Sequence, residues 1–172
     1  MSTQAQYLGM SLTIDDLDQE NLAYFRHCAA HKFHLQSCKT CNLRRYPPTT
    51  ACPWCASPEA AWLPVEGKGA VHSYTEVHHA IQPAFKAATP YLVLLVDLDT
   101  QKGLPTQHEA LRVAGNLVTP DGKFAPADLV KSVGIGTRVR MVFADAGPGI
   151  AIPHWTIDES ATQPAKPWRY PE

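Results

Sequence analysis

The sequence is short of charge. Asp, Glu, Lys and Arg make up 18% of its 172 residues, and the formal net charge is −1. That balance gives no overall pull toward nucleic acid or an anionic membrane. Long hydrophobic runs are missing as well. The longest strongly apolar stretch, YLVLLV (91–96), is far too short to span a bilayer. Residues 1–14 lack a basic start followed by an apolar core, so no secretory leader is expected and a soluble, cytoplasmic protein is. No glycine-rich phosphate cradle occurs: EGKGAV (66–71) is a short turn, unlike a P-loop or a dinucleotide fingerprint. No G-x-S-x-G nucleophile elbow and no H-E-x-x-H helix is found either. Apolar residues still reach 45%, the texture of a globular chain. The length fits one ordinary domain, or a small module plus a compact one.

Cysteine is scarce too, and its placement is the strongest signal in the chain. Four of the five cysteines fall in CKTCNLRRYPPTTACPWC (38–55), as two Cys-x-x-Cys pairs ten residues apart. Each pair can close a tight knuckle with converging thiolates, and two knuckles supply the four soft ligands of tetrahedral zinc. Pro47-Pro48 in the spacer suits the hairpin of a zinc ribbon. The rivals are a rubredoxin-like iron site, which takes the same ligands, and a bare clip. A thioredoxin-like redox motif would need a βαβ context that the sequence lacks. Four protein thiolates on Cys38, Cys41, Cys52 and Cys55 leave no open coordination position, so the expected Zn2+ is structural. His31 and His34 read as solvated neighbours, and Cys28 as a small buried apolar residue.

Acid is absent between Glu20 and Glu59, while Arg26, Lys32, Lys39, Arg44 and Arg45 are present. Zinc with four thiolates carries roughly −2, so this segment stays basic with the site filled. Arg44 and Arg45, expected at an exposed turn, would either compensate that charge or meet a partner carboxylate or a phosphate.

Residues 11–30 read as a helix, with Thr13 and Asp16 in a capping pattern and Leu17, Tyr24 and Cys28 on one stripe. Residues 31–62 are the ribbon segment. From Leu63 the texture changes to strands: VHSYTEVHH (71–79), PYLVLLVDLD (90–99), EALRVAGNLV (109–118), TRVRMVFADA (137–146) and GIAIPHWTID (149–158). The helix-like FAPADLVKSV (124–133) lies between the third and fourth. Five strands with a short helix after the third is the order of an OB barrel. The expected fold is mainly β: an N-terminal helix, a zinc ribbon, a five-stranded OB-fold barrel over 63–158 and an extended tail over 159–172.

No catalytic set stands out. Asp97 and Asp99 share a strand face but sit at a rim. His78-His79 and His108-Glu109 are lone pairs. The long apolar loop HHAIQPAFKAATP (78–90) carries Phe85 and is of the kind that binds ligands or partners on OB folds. Its other reading is a plug, with Ile81 and Phe85 closing the barrel end.

Taken together, these parts resemble a family of acyl-CoA-associated proteins long classed as a domain of unknown function. The resemblance rests on Tyr24-Phe25 in the helix, then LQSCKTCNLRRYPPTTACPWCAS, then Trp62, Gly67 and Gly69. It continues through VHSYTEVHH, PYLVLLVDLD and GIGTRVRMVF. It implies a rubredoxin-like zinc ribbon and an OB fold in an accessory subunit. Such subunits bind thiolase-fold enzymes (thiolases, acyltransferases, aldolases) or, in some cases, MaoC-like hydratases. The chemistry and the acyl-CoA would then sit mainly in the partner, in a hetero-oligomer with two copies of each chain. Arg44, Arg45, His78, His79 and Phe85 are the candidate partner or CoA contacts. Residues 99–129 look longer than the simplest family pattern, and the aromatic tail Trp168–Tyr170 falls outside it. Two other readings stay open: a single-stranded nucleic-acid-binding ribbon/OB protein and a self-sufficient enzyme. The strand 90–99 ends in acids and shows no aromatic–basic alternation, which disfavours nucleic acid.

Overall fold

The structure, a computed structural model, describes residues 2–171; Glu172, the last residue of the expected tail, lies outside them. The chain opens with a hairpin, β1 (Thr3–Tyr7) and β2 (Met10–Ile14), in antiparallel register. This departs from the helix expected from residue 11. Leu8 and Gly9 both adopt positive φ, 51° and 78°, which is the two-residue turn that matches strand twist. Helix α1 follows over Gln19–Ala29. Its N-cap is Asp18, whose carboxylate accepts from the Asn21 N–H at 3.1 Å, and not Thr13. Leu22, Tyr24 and Cys28 form its buried face, while Leu17 lies before it and is 88% exposed.

The ribbon is a three-stranded sheet. β3 (His34–Cys38) lies between β4 (Arg44–Arg45) and β5 (Ala60–Pro64). β6 (Lys68–Val77), β7 (Tyr91–Leu98) and β8 (Arg112–Asn116) come next, then helix α2 (Ala127–Ser132), β9 (Arg138–Gly147) and β10 (Ile150–Ile157). These five strands make one sheet in the order β10-β9-β6-β7-β8. A parallel bridge from Leu117 to Trp155, with the Val118 N–H on the Trp155 carbonyl at 2.8 Å, joins its two ends. The result is the expected mainly β architecture, a curled OB-type sheet with a short helix between its third and fourth strands.

Alternation explains the core. Leu92, Leu94, Val96 and Leu98 point inward along β7 and are fully buried. Trp155 fills the centre, and its indole N–H donates to the Val113 carbonyl at 3.3 Å. Gly115 makes that possible, since a Cβ there would lie 2.9 Å from the indole. α1 packs chiefly on β10, and Tyr24, Cys28, Phe33 and Leu35 join the same core as the barrel. No helix among the described residues is long and apolar enough to cross a membrane.

Candidate metal centre and its surroundings

The four cysteines predicted from spacing come together. The ligand atoms of Cys38, Cys41, Cys52 and Cys55 all lie within 4.8 Å of one another. Cys38 Sγ is 3.5 Å from Cys55 Sγ, and Cys41 Sγ is 3.6 Å from Cys52 Sγ. A disulfide would need about 2.05 Å. Tetrahedral ligands at about 2.3 Å from one metal ion stand roughly 3.8 Å apart. The set therefore suits one metal ion, and all four are free thiols.

Two copies of one backbone motif build it. In the first knuckle the Asn42 N–H reaches the Cys38 carbonyl at 3.0 Å, and the Cys38 N–H reaches the Leu43 carbonyl at 2.9 Å. In the second, Ala56 reaches Cys52 at 2.9 Å and Cys52 reaches Ser57 at 2.8 Å. Each knuckle closes on a left-handed residue straight after its second cysteine: Asn42 at φ 62° and Ala56 at φ 59°.

Electrostatics also point to a cation. The N–H of Cys41, aided by that of Thr40, draws the Cys38 thiol down to about 6. The Ser57 N–H pulls Cys55 the same way, but desolvation and the three facing thiols outweigh it and push Cys55 up to about 12. Four thiolates at contact distance cannot all ionise without a positive ion among them.

The basic pair beside the site divides. Arg45 is 2% exposed, which corrects the expectation that both arginines lie at an exposed turn. It donates through Nε to Gln36 Oε1 at 2.8 Å and through Nη2 to the Thr49 carbonyl at 2.9 Å. Gln36 Oε1 also takes the Thr49 N–H at 2.8 Å, so one buried amide oxygen ties the spacer to β3. Neighbouring strand residues point to opposite faces, so one arginine turns inward and Arg44 stays half-buried at the other face. Sequence reasoning missed Gln36 and Gln101, because glutamine carries no spacing signature.

The remaining candidates lie elsewhere. His78 is exposed, with Nε2 3.5 Å from Glu76, and lines a cleft of about 420 Å³ with Tyr74, Ile135, Trp168, Arg169 and Tyr170. His79 is exposed. Phe85 is half-buried against Tyr91 and Phe124, with ring centroids 5.8 Å from each, whereas Ile81 is 91% exposed. Asp97 and Asp99 do not pair: Asp97 meets Arg112 at 2.8 Å and His72 at 3.1 Å, and Asp99 meets Arg138. His108 contacts Gln107 on an exposed loop.

Fold and site together define a protein with a four-cysteine ribbon on an OB barrel. Residues 62–144 match the family model described as "ChsH2, C-terminal OB-fold domain". Among solved structures the chain is similar to one described as "Ltp2-ChsH2(DUF35) aldolase", with a TM-score of 0.64 and 27% identity. That likeness covers 84% of this chain and 98% of the other. No curated protein matches. Residues 62–144 thus match a ChsH2-type OB-fold domain, and the likeness to a solved DUF35 chain supports the family that the sequence resembles.

Proposed function

We propose that this chain is a non-catalytic accessory subunit that binds and completes a thiolase-fold acyl-CoA enzyme, with Zn2+ held by Cys38, Cys41, Cys52 and Cys55. The observation that carries the reading is the likeness to a DUF35 chain described with an aldolase, over nearly the whole of that chain. Four thiolates close a zinc ion's coordination, so the metal's part is to hold two knuckles together and not to activate water. Among the described residues, the ion pairs of Asp97 with Arg112 and His72, of Asp99 with Arg138 and of His78 with Glu76 lie outside the ribbon and bring no cysteine or serine to a base. Reaction and acyl substrate then belong to the partner. Arg44, His78, His79 and Phe85 are the contacts proposed toward it.

Co-expression with a thiolase-fold acyl-CoA enzyme of the same organism tests the reading. A complex recovered through two columns with equal amounts of both chains supports it. A chain that leaves such an enzyme unbound, and instead binds single-stranded oligonucleotide in a salt-sensitive way, overturns it.

A further inference from the structure

Two glutamines make the same contact at two places in the molecule. Gln101, 3% exposed in the 3-10 turn Asp99–Gln101 after β7, accepts from the Arg44 N–H at 2.7 Å and donates to the Arg44 carbonyl at 3.0 Å. Gln163, in the tail, accepts from the Arg138 N–H at 2.9 Å and donates to the Arg138 carbonyl at 3.0 Å. A side-chain amide that grips both polar groups of one residue stands in for a neighbouring strand. β4 needs this, because it has two residues and pairs with β3 on one side only.

The two clamps are joined. Gln101 shares its turn with Asp99, whose carboxylate takes Nη1 of Arg138 at 2.9 Å and Nη2 as well. Such a forked pair fixes angle as well as distance. Arg44, Gln101, Asp99, Arg138 and Gln163 therefore form one unbroken line from the ribbon to the tail.

The tail at the end of this line is docked on the barrel. Trp168 bridges Ile135, with N–H to carbonyl distances of 2.8 and 3.3 Å. Arg169 donates to the Val130 carbonyl at 2.8 Å, to that of Val133, and to Glu76 at 2.5 Å. Gly134 admits the tail, since a Cβ there would lie 2.3 Å from the Trp168 carbonyl. Trp168 and Tyr170 themselves stay 55% and 77% exposed. A terminal segment whose aromatic side chains stay exposed opens more readily than core strands, and a lost neighbour shifts that balance.

We propose that the ribbon and the tail are coupled through this line, so that emptying the ribbon releases the aromatic tail from Ile135. The proposal rests on the metal reading above and adds regulation to it. The filled ribbon holds β4, β4 holds Gln101, and the docked tail presents Trp168 and Tyr170 in a fixed place.

Contact alone does not prove coupling, so both ends are measured. Hydrogen exchange is followed on the full chain, zinc-loaded and chelated, with metal content determined on the same samples. Chelation is expected to speed exchange at Ile135 and Trp168 by about tenfold or more while Leu92–Val96 of β7 stay protected. Gln101→Ala shows the same release with zinc still bound. Asp99→Asn, which cuts the line outside the ribbon, does so too and covers the case in which Gln101→Ala does not fold. Gln101→Glu keeps the acceptor for the Arg44 N–H and gives an intermediate rate. Tail exchange within about twofold of the native rate in both the chelated protein and a folded variant overturns the proposal. So does a tail that opens only when β7 opens. A protein that takes up no metal overturns the metal reading alone, and the two zinc-independent variants then still decide the coupling.

Discussion

Arg45 Nε donates to Gln36 Oε1 at 2.8 Å inside the ribbon, and both residues are buried. Its Nη2 also donates to the Thr49 carbonyl at 2.9 Å, so the buried guanidinium ties β4 to the spacer. Arg45→Met removes the charge and keeps the stem's packing, yet leaves the Thr49 carbonyl without its partner. The expected cost is about 2–3 kcal/mol in the metal-loaded protein. Arg44→Ala, at the half-buried neighbour, should cost under about 1 kcal/mol. Denaturant midpoints of the two variants check the split. Equal losses would remove the structural role given to Arg45.

Metal removal should unfold the ribbon and spare the barrel. The two knuckles have little apolar core of their own, whereas Leu92–Leu98 of β7 and Trp155 lie in the main core of the barrel. Cys38→Ser should lower metal content below about half an equivalent and abolish protection of β3 amides. Thiolates bind the ion and thiols do not, so acidification should release it, and refilling should liberate protons. A dye that reports free zinc, read from pH 7.5 downward, follows the release. Metal held unchanged by Cys38→Ser would contradict the site.

Ala56 closes the second knuckle at φ 59°, a region that costs a side chain about 1–2 kcal/mol and glycine almost nothing. Ala56→Gly should therefore raise ribbon stability by about 1 kcal/mol, and Ala56→Val should lower it by more. Asn42, at φ 62°, tolerates the same conformation through its short polar side chain. Thermal midpoints of the loaded protein give the sign.

His154 is 2% exposed, and burial holds its pKa down to about 4, against about 6.5 unfolded. The folded state keeps it neutral, with Nε2 2.9 Å from the Tyr7 hydroxyl. Between those two values the unfolded chain binds the extra proton, so stability falls as pH drops from about 6.5 toward 4. The loss from this residue alone reaches about 3 kcal/mol at the acid end. His154→Asn should flatten that slope, read from urea midpoints between pH 4.5 and 7. An unchanged slope would assign the acid sensitivity to another group.

Much of the fold was legible in the residues. The alternation of PYLVLLVDLD and TRVRMVFADA placed β7 and β9 within one or two residues. The order of five strands with a helix after the third marked the barrel. Four cysteines marked the metal centre, because their geometry is dictated locally by knuckles that need few other residues. The N-terminal hairpin was hidden by competing acids. Asp15, Asp16 and Asp18 all suit a helix start, and the true cap at Asp18 left residues 11–14 free to pair with β1. Leu8, at positive φ, is an unusual residue for a hairpin turn, so the turn carried half its usual signature. Which of Arg44 and Arg45 turns inward depends on strand register, and the Gln101 clamp depends on residues 57 positions apart. Neither leaves a local pattern.

The central claim is that chemistry belongs to a partner enzyme and completion of that enzyme to this chain. The most direct measurement is acyl-CoA turnover by the co-purified complex, set beside each chain alone, with the complex's mass taken by light scattering. The account predicts a mass of two copies of each chain, turnover by the complex, none by this chain, and loss of both assembly and turnover with Cys38→Ser. Turnover by this chain alone, or full activity of the partner in its absence, would contradict it.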